Sequence, residues 1–231
     1  MNKNLIVIPT YENFHFIENL INDLKNIPDS DILIIDDGSQ NIPENIENNP
    51  NYTLIRKEQP LGYGASFITG LEYAQDLKYE TVIFINPENN SAKYDINELI
   101  QNINYGYDIV SASRLIDKFS SFEDKLLVEI TEQLSENLYN FDKTIEISDP
   151  LSGIIAISLK SINLLELTDY SHAVLLQLWI QAAHFKLTFT EIASGFDGDF
   201  GIELSEYGDP FKTMFTVLET EKYLYPNKSV N

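Results

Sequence analysis

An α/β fold with a mostly parallel central sheet flanked by helices is the architecture this sequence predicts, and three observations predict it. Short apolar runs alternate with segments of helical periodicity through the first half of the chain. These runs are apolar throughout, so they read as strands buried on both faces, as parallel strands are. Two of them, Leu5-Ile6-Val7-Ile8 and Leu33-Ile34-Ile35, run into the polar tips Pro9-Thr10-Tyr11-Glu12 and Asp36-Asp37-Gly38-Ser39. Open α/β sheets hold ligands at such strand ends, and two of them about one βαβ unit apart suggest a nucleotide site between neighbouring strands.

The elements follow in order. Leu5–Ile8 is a strand. Phe16, Ile17, Leu20, Ile21 and Leu24 recur at helical spacing, so residues 14–26 form an amphipathic helix. Asp31–Asp36 is the second strand. Residues 39–51, rich in Asn, Pro and Glu, read as loop with a short helix. Tyr52–Arg56 is a third strand, and residues 65–77 a helix beginning just after Gly62-Tyr63-Gly64. Thr81–Ile85, a helix over 96–103 and a strand over Asp108–Ser111 complete the regular half. The second half carries a helix over 126–138, a turn at Asp149-Pro150-Leu151-Ser152-Gly153 and a strand over Ile154–Ser158. A strongly apolar helix over 173–183, a strand over Lys186–Glu191, a loop over 194–210 and a terminal helix over 211–223 follow. No repeat or low-complexity linker interrupts the pattern, so residues 1–231 read as one domain with a decorated carboxy-terminal half.

Composition narrows the function classes. The 231 residues are 43% hydrophobic, enough for one α/β core. Fifteen basic residues face 36 acidic ones, a formal net charge of −21, and Arg56 and Arg114 are the only arginines. That surface repels phosphate backbones and anionic lipid headgroups, which argues against nucleic acid as a partner. The absence of cysteine excludes disulfides, thiolate zinc sites and a catalytic thiol. No signal peptide is recognisable, and no apolar stretch approaches the roughly 18 residues a membrane span needs. The expectation is a soluble cytoplasmic protein.

Each motif has two readings from residue chemistry. Asp36-Asp37 either meets a base, ribose or metal, or is a strand end followed by an Asp-Gly turn. Gly62-Tyr63-Gly64 at a helix start would let the backbone approach an anion. Phe67 stands where a dinucleotide fingerprint needs its third glycine, and no strand immediately precedes the motif. Asn86-Pro87-Glu88 follows the fourth strand. Glu88 could ligate a divalent cation with Asn86 as a neutral donor, since substrate phosphates supply the remaining ligands of magnesium. The alternative is a plain turn. Arg114 could clamp a phosphate bidentately, or form a surface ion pair. His15, His172 and His184 lack metal-ligand spacing, and Trp179 reads as core.

Taken together, Ile8-Pro9-Thr10-Tyr11-Glu12-Asn13, Ile34-Ile35-Asp36-Asp37-Gly38-Ser39, Leu61-Gly62-Tyr63-Gly64-Ala65, Ser111-Ala112-Ser113-Arg114 and Asp149-Pro150-Leu151-Ser152-Gly153 resemble the family-two glycosyltransferases, and most of all the branch of dolichyl- or polyprenyl-phosphate sugar synthases. The resemblance covers roughly residues 4–200. It implies a Rossmann-like GT-A fold, with residues 1–114 binding a nucleotide-sugar and 115–231 forming the acceptor half. It implies that Pro9, Tyr11 and Glu12 line the nucleotide pocket and that Asp36-Asp37 reaches the base or ribose through Asp37. Gly62 and Gly64 pass close to the nucleoside. Arg114 lies near the sugar or phosphate, Asp149 begins the turn beside the acceptor, and a divalent cation (Mg or Mn) is the cofactor.

The departures from the family pattern all remove positive charge. Asn86-Pro87-Glu88 replaces the metal motif Asp-x-Asp, so Glu88 and Asn86 would hold a cation weakly. Ile154-Ile155 replaces an aromatic-arginine pair, and Phe196 to Ser205 has no basic residue where the family grips phosphates. A leaving diphosphate needs such groups, and losing one stabiliser commonly costs about 2.7–4 kcal/mol. Two readings therefore stand: a transferase acting on a lipid phosphate or a glycan, with Asp149 available as a base for a hydroxyl acceptor, or a catalytically degenerate binding or scaffold protein. A nucleotidyltransferase would need a glycine-rich loop after the first strand and is set aside. The sugar, the base, the acceptor and any homo-oligomer stay open.

Overall fold

The computed structural model describes residues 3–85, 87, 92–116, 125–194 and 210–226. Among these residues the elements run β1 (Asn4–Thr10), α1 (Phe14–Leu24), β2 (Ser30–Asp36), α2 (Glu44–Glu47), β3 (Thr53–Arg56), α3 (Tyr63–Asp76), β4 (Thr81–Phe84), α4 (Ala92–Tyr105), β5 (Ile109–Ser113), α5 (Lys125–Phe141), β6 (Ile155–Ser158), α6 (Leu159–Ile162), α7 (Val174–His184), β7 (Phe189–Ala193) and α8 (Pro210–Leu224). The strands form one sheet in the order β3-β2-β1-β4-β6-β5-β7. All pairings are parallel except those of β6, which is antiparallel to both β4 and β5. The mostly parallel α/β sheet expected from the apolar runs is what forms.

The reversal of β6 has a local cause. Segment 145–151 returns the chain to the carboxyl end of β5, where the Ser152 hydroxyl donates to the carbonyl of Ala112 over 2.7 Å. The chain turns there and descends, pairing Ile155 with both Phe84 and Ser111.

Alternation along β1 divides the core. Leu5 and Val7 pack into the cluster holding Phe67, Trp179 and Leu218, so α3, α7 and α8 cover that face. Ile6 and Ile8 pack with Ile17, Leu20, Ile96 and Leu99, so α1 and α4 cover the other. Helix α7 is buried from Val174 through Ala182, apolar except for Gln177 and Gln181.

Several boundaries differ from the sequence reading, and the short α6 was not read from it; three of the differences are instructive. Helix α3 starts at Tyr63, so Gly64 lies inside its first turn. Strand β7 starts at Phe189, because Lys186 takes φ 56° and closes α7. Its N–H bonds the carbonyl of Ala183 while that of Leu187 bonds Ala182, the paired arrangement that ends a helix in a left-handed residue. Helix α4 begins at Ala92, four residues earlier than its apolar periodicity indicates.

Candidate functional site

Strand order reverses at β1: β2 and β3 lie on one side and β4 on the other. The crevice beyond the carboxyl ends of β1 and β4 is where such sheets bind ligands. The loops that leave β1 and β2 are tied together there. Glu12, in a left-handed conformation with φ 57°, donates its N–H to the Ser39 hydroxyl over 2.8 Å, and its carboxylate accepts the Gln40 N–H over 2.7 Å. Pro9 is buried in β1, and Tyr11 stands 49% exposed at the mouth.

The adjacent aspartates divide the work. Asp36 is fully buried. Its Oδ1 accepts the Ser39 N–H over 3.1 Å and the Ser39 hydroxyl over 2.5 Å, and Arg56 Nε lies 3.3 Å from Oδ2. Asp36 thus holds the turn together and faces inward. Asp37 is a clasp between β2 and the start of α3. Its Oδ1 takes the Lys57 ammonium at 2.8 Å, and its Oδ2 takes the main-chain N–H of Leu61 at 3.0 Å and of Gly62 at 2.7 Å. Lys57 also bonds the Ser66 hydroxyl over 2.9 Å. Lys57 was not singled out from sequence. Its signal is the basic pair Arg56-Lys57 at the end of β3.

Gly62 and Gly64 are required, and the reason is the chain itself. A Cβ on Gly62 would lie 2.4 Å from the carbonyl oxygen of Tyr170, and one on Gly64 would lie 2.2 Å from that of Asp169. Gly64 N–H donates to Tyr170 O over 2.9 Å. Segment Asp169–Ser171 packs against the side of both glycines from which a Cβ would project. The motif shapes the wall of the site by packing chain on chain.

Arg114 and Asp149, far apart in sequence, meet. Nε donates to Oδ2 over 2.7 Å, Nη2 to Oδ1 over 2.8 Å, and the Arg114 N–H to Oδ2 over 3.1 Å. The pair is buried rather than at the surface. Beneath it the Glu191 carboxylate accepts the N–H groups of Ser148 and Asp149 over 2.6 and 3.0 Å. Burial raises the Glu191 pKa. A carboxylate holding two guanidinium bonds and a main-chain N–H orients Arg114. Three of its roughly four lone-pair sites are taken, so the geometry favours that task over the proton-acceptor role the sequence left open for Asp149.

Two further aromatic residues stand beside the pair. Tyr63 and His172 stack with ring centroids 4.6 Å apart and planes 3° from parallel. The Tyr63 hydroxyl is buried without a hydrogen-bond partner among the described residues, 3.8 Å from where a Cβ on Gly153 would sit. Burial pushes the Tyr63 pKa up. Burial, and secondarily the Arg114 charge, hold His172 down at about 4, a neutral ring at physiological pH. Asn86 and Glu88, the expected metal ligands, lie outside the described residues. Among the described residues no cluster of three or more His, Cys, Asp or Glu side chains could hold a metal, and no helix is long and apolar enough to cross a membrane.

The mostly parallel seven-stranded sheet flanked by helices, with the Pro9–Glu12, Asp36–Ser39 and Gly62–Gly64 motifs meeting at the strand ends beside this reversal, defines a Rossmann-like GT-A α/β fold. The sequence matches the family Glycosyl transferase family 2 over residues 5–162, and the chain belongs to that family. It is 29% identical over 128 residues to a UDP-N-acetylglucosamine–dolichyl-phosphate N-acetylglucosaminyltransferase of Methanococcus voltae. The alignment takes in 48% of this chain and 51% of that protein, so the chain matches about half the length of this curated relative. Solved structures of glucosyl-3-phosphoglycerate synthase from Mycobacterium tuberculosis superpose over 95% of the chain. The complex with Mn2+, UDP-glucose and phosphoglyceric acid gives a TM-score of 0.76 at 18% identity over 79% of that chain. The complex with Mn2+, UDP and glucosyl-3-phosphoglycerate gives 0.75 at 17% over 80%. At these identities the likeness establishes the shared fold.

Proposed function

We propose that this protein binds a uridine-diphosphate sugar at the β1/β4 crevice and transfers the sugar to an acceptor that carries no phosphate. The observation that carries the reading is the convergence of the Pro9–Glu12, Asp36–Ser39, Gly62–Gly64 and Arg114–Asp149 motifs on one end of the sheet in a family-two chain. The uridine donor is suggested by the relatives, one named for a UDP-sugar substrate and another solved with UDP-glucose. The acceptor class is inferred from charge: residues 196–205 carry acids and no base, which disfavours an anionic acceptor.

In this reading Arg114, fixed by Asp149, supplies fixed positive charge near the leaving diphosphate, where charge develops in the transition state. Glu88 and Asn86 are oxygen donors of the kind Mg2+ and Mn2+ take, and one carboxylate suffices when the diphosphate provides further ligands. A bound cation would neutralise the leaving group. Asp36, Asp37, Asp149 and Glu191 are each engaged by neighbouring donors. The proton of a hydroxyl acceptor must therefore go to another group or to water.

Purified protein incubated with Mn2+ and a panel of UDP-sugars, with and without neutral glycan acceptors, is expected to release UDP above background. No release, together with no calorimetric binding of UDP, rejects the reading. Binding without release supports the second reading, a degenerate family member that retains the pocket, which the replacement of Asp-x-Asp by Asn86-Pro87-Glu88 favours. Asn86→Asp with Glu88→Asp is expected to raise Mn2+ affinity if the site geometry survives.

A further inference from the structure

Glu221 on α8 is a 4% exposed carboxylate whose described bonding partners include no cation. It accepts instead from two side-chain amides of α7: Gln177 Nε2 at 2.7 Å and Gln181 Nε2 at 3.2 Å. A side-chain amide has one donor end and one acceptor end. Pulling both NH2 groups toward Glu221 therefore aims both carbonyl oxygens the other way. There Gln177 Oε1 accepts the main-chain N–H of Thr168 and of Asp169, each over 2.9 Å, and Gln181 Oε1 accepts that of Glu166 over 2.7 Å.

The line of bonds continues to the site. Asp169 Oδ1 accepts the N–H and hydroxyl of Ser171 at 2.8 and 2.5 Å. The intervening Tyr170 carbonyl accepts the Gly64 N–H in the first turn of α3. Gly62, next in the wall, is the residue Asp37 clasps.

We propose that Glu221 is a positioning residue for the donor site: by fixing the orientation of Gln177 and Gln181 it holds segment 166–171 against Gly62 and Gly64, so the carboxy-terminal helix sets the shape of the nucleotide-side wall. An apolar residue would seal the α7–α8 interface without polar atoms. A buried carboxylate is the group that dictates which way two amides point. The functional half of this inference rests on the donor-site reading above.

A reciprocal exchange tests the pairing. Glu221→Gln turns an amide NH2 against one of the two glutamine donors. Gln177→Glu places two carboxylates face to face. The double variant Glu221→Gln with Gln177→Glu restores the donor–acceptor pairs among positions 177, 181 and 221; the Thr168 hydroxyl, which accepts from Gln177 Nε2 over 3.2 Å, turns to donate to the new carboxylate. The carboxylate introduced at position 177 still accepts from Thr168 and Asp169. The amide introduced at position 221 gives its NH2 to that carboxylate, and its carbonyl takes the NH2 of Gln181. Amide hydrogen exchange in the full chain is the first readout. In each single variant exchange at Glu166, Thr168, Asp169 and Gly64 is expected to accelerate about tenfold or more over any change at β1 and β4 amides. Calorimetric titration with UDP and Mn2+ is the second, with a fall of about threefold to tenfold in affinity. The double variant is expected to recover both. If a single variant fails to fold while the double variant folds, the pairing is supported.

Acceleration spread evenly over the protein, or a double variant no better than the singles, overturns the proposal. Local acceleration with unchanged UDP affinity overturns the link to the site. Wild-type protein that binds no UDP overturns the donor-site reading itself, and the positioning role with it, while the exchange pattern still tells whether Glu221 orders the segment.

Discussion

Arg114 and Asp149 form a bidentate ion pair inside the protein, at 2.7 and 2.8 Å, with their side chains 4% and 0% exposed. Removing one partner of such a pair strands a buried charge. Asp149→Asn is therefore expected to destabilise the fold by about 3–5 kcal/mol, read as a lower urea midpoint at unchanged slope. Arg114→Lys keeps the charge and loses the fork, so it is expected to recover only part of the stability. A loss below about 1 kcal/mol for Asp149→Asn would mean that the pair is not buried in solution.

The glycines separate two kinds of constraint. Alanine at position 64 would place its Cβ 2.2 Å from Asp169 O and 2.6 Å from Ser171 O, both main-chain atoms that cannot swing away. Alanine at position 153 meets only the Tyr63 hydroxyl, at 3.8 Å. Gly64→Ala is expected to cost about 2–3 kcal/mol and to weaken UDP binding, whereas Gly153→Ala stays within about 0.5 kcal/mol of wild type. Equal thermal shifts for the two would contradict the packing of segment 169–171 on α3.

These glycines also show what the sequence made legible. Strands β1, β2 and β4 were readable because their short apolar runs are buried on both faces. The polar tips marked the right end of the sheet. Gly62-Tyr63-Gly64 was readable as a close approach but not as an approach by Tyr170, because that contact spans more than a hundred residues. Separation in sequence also hid the Arg114–Asp149 pair, 35 residues apart, and the clasp of Lys57 on Asp37, 20 residues apart. Each residue taken alone is an ordinary charge, and only the fold makes it a partner. Glu191 and Glu221 had no sequence signal, since a buried acid among buried amides looks like any surface acid on a helix or strand.

The Tyr63 hydroxyl lacks a partner among the described residues. A buried hydroxyl in that state carries a desolvation cost of about 1–3 kcal/mol. Tyr63→Phe keeps the ring stacked on His172 and removes that cost. Chemical denaturation of ligand-free protein is expected to show stability equal to wild type or about 1 kcal/mol higher. A clear loss of stability would show that the hydroxyl is bonded in solution.

His172 gives the protein an acid limit whose sign follows from its surroundings. Its folded-state pKa, about 4, lies below the ordinary value of 6.5, because burial and then Arg114 disfavour the imidazolium. The unfolded chain therefore binds this proton first. The stabilisation is complete above pH 6.5 and is lost as pH falls from 6.5 through 4, on the order of 2–3 kcal/mol. Glu191 acts in the opposite direction, since its raised pKa makes the folded state take a proton more readily than the unfolded chain. Asp108, lowered to about 2 by its bonds to Thr188, Lys160 and Ser161, titrates below this window. A comparison of wild type with His172→Phe cancels both carboxylates and keeps an aromatic ring on Tyr63. Between about pH 7 and 4.5 the wild type is expected to lose more stability than the variant, with the two slopes differing by up to about one proton. Parallel slopes would show that His172 is solvated and titrates as it does in the unfolded chain.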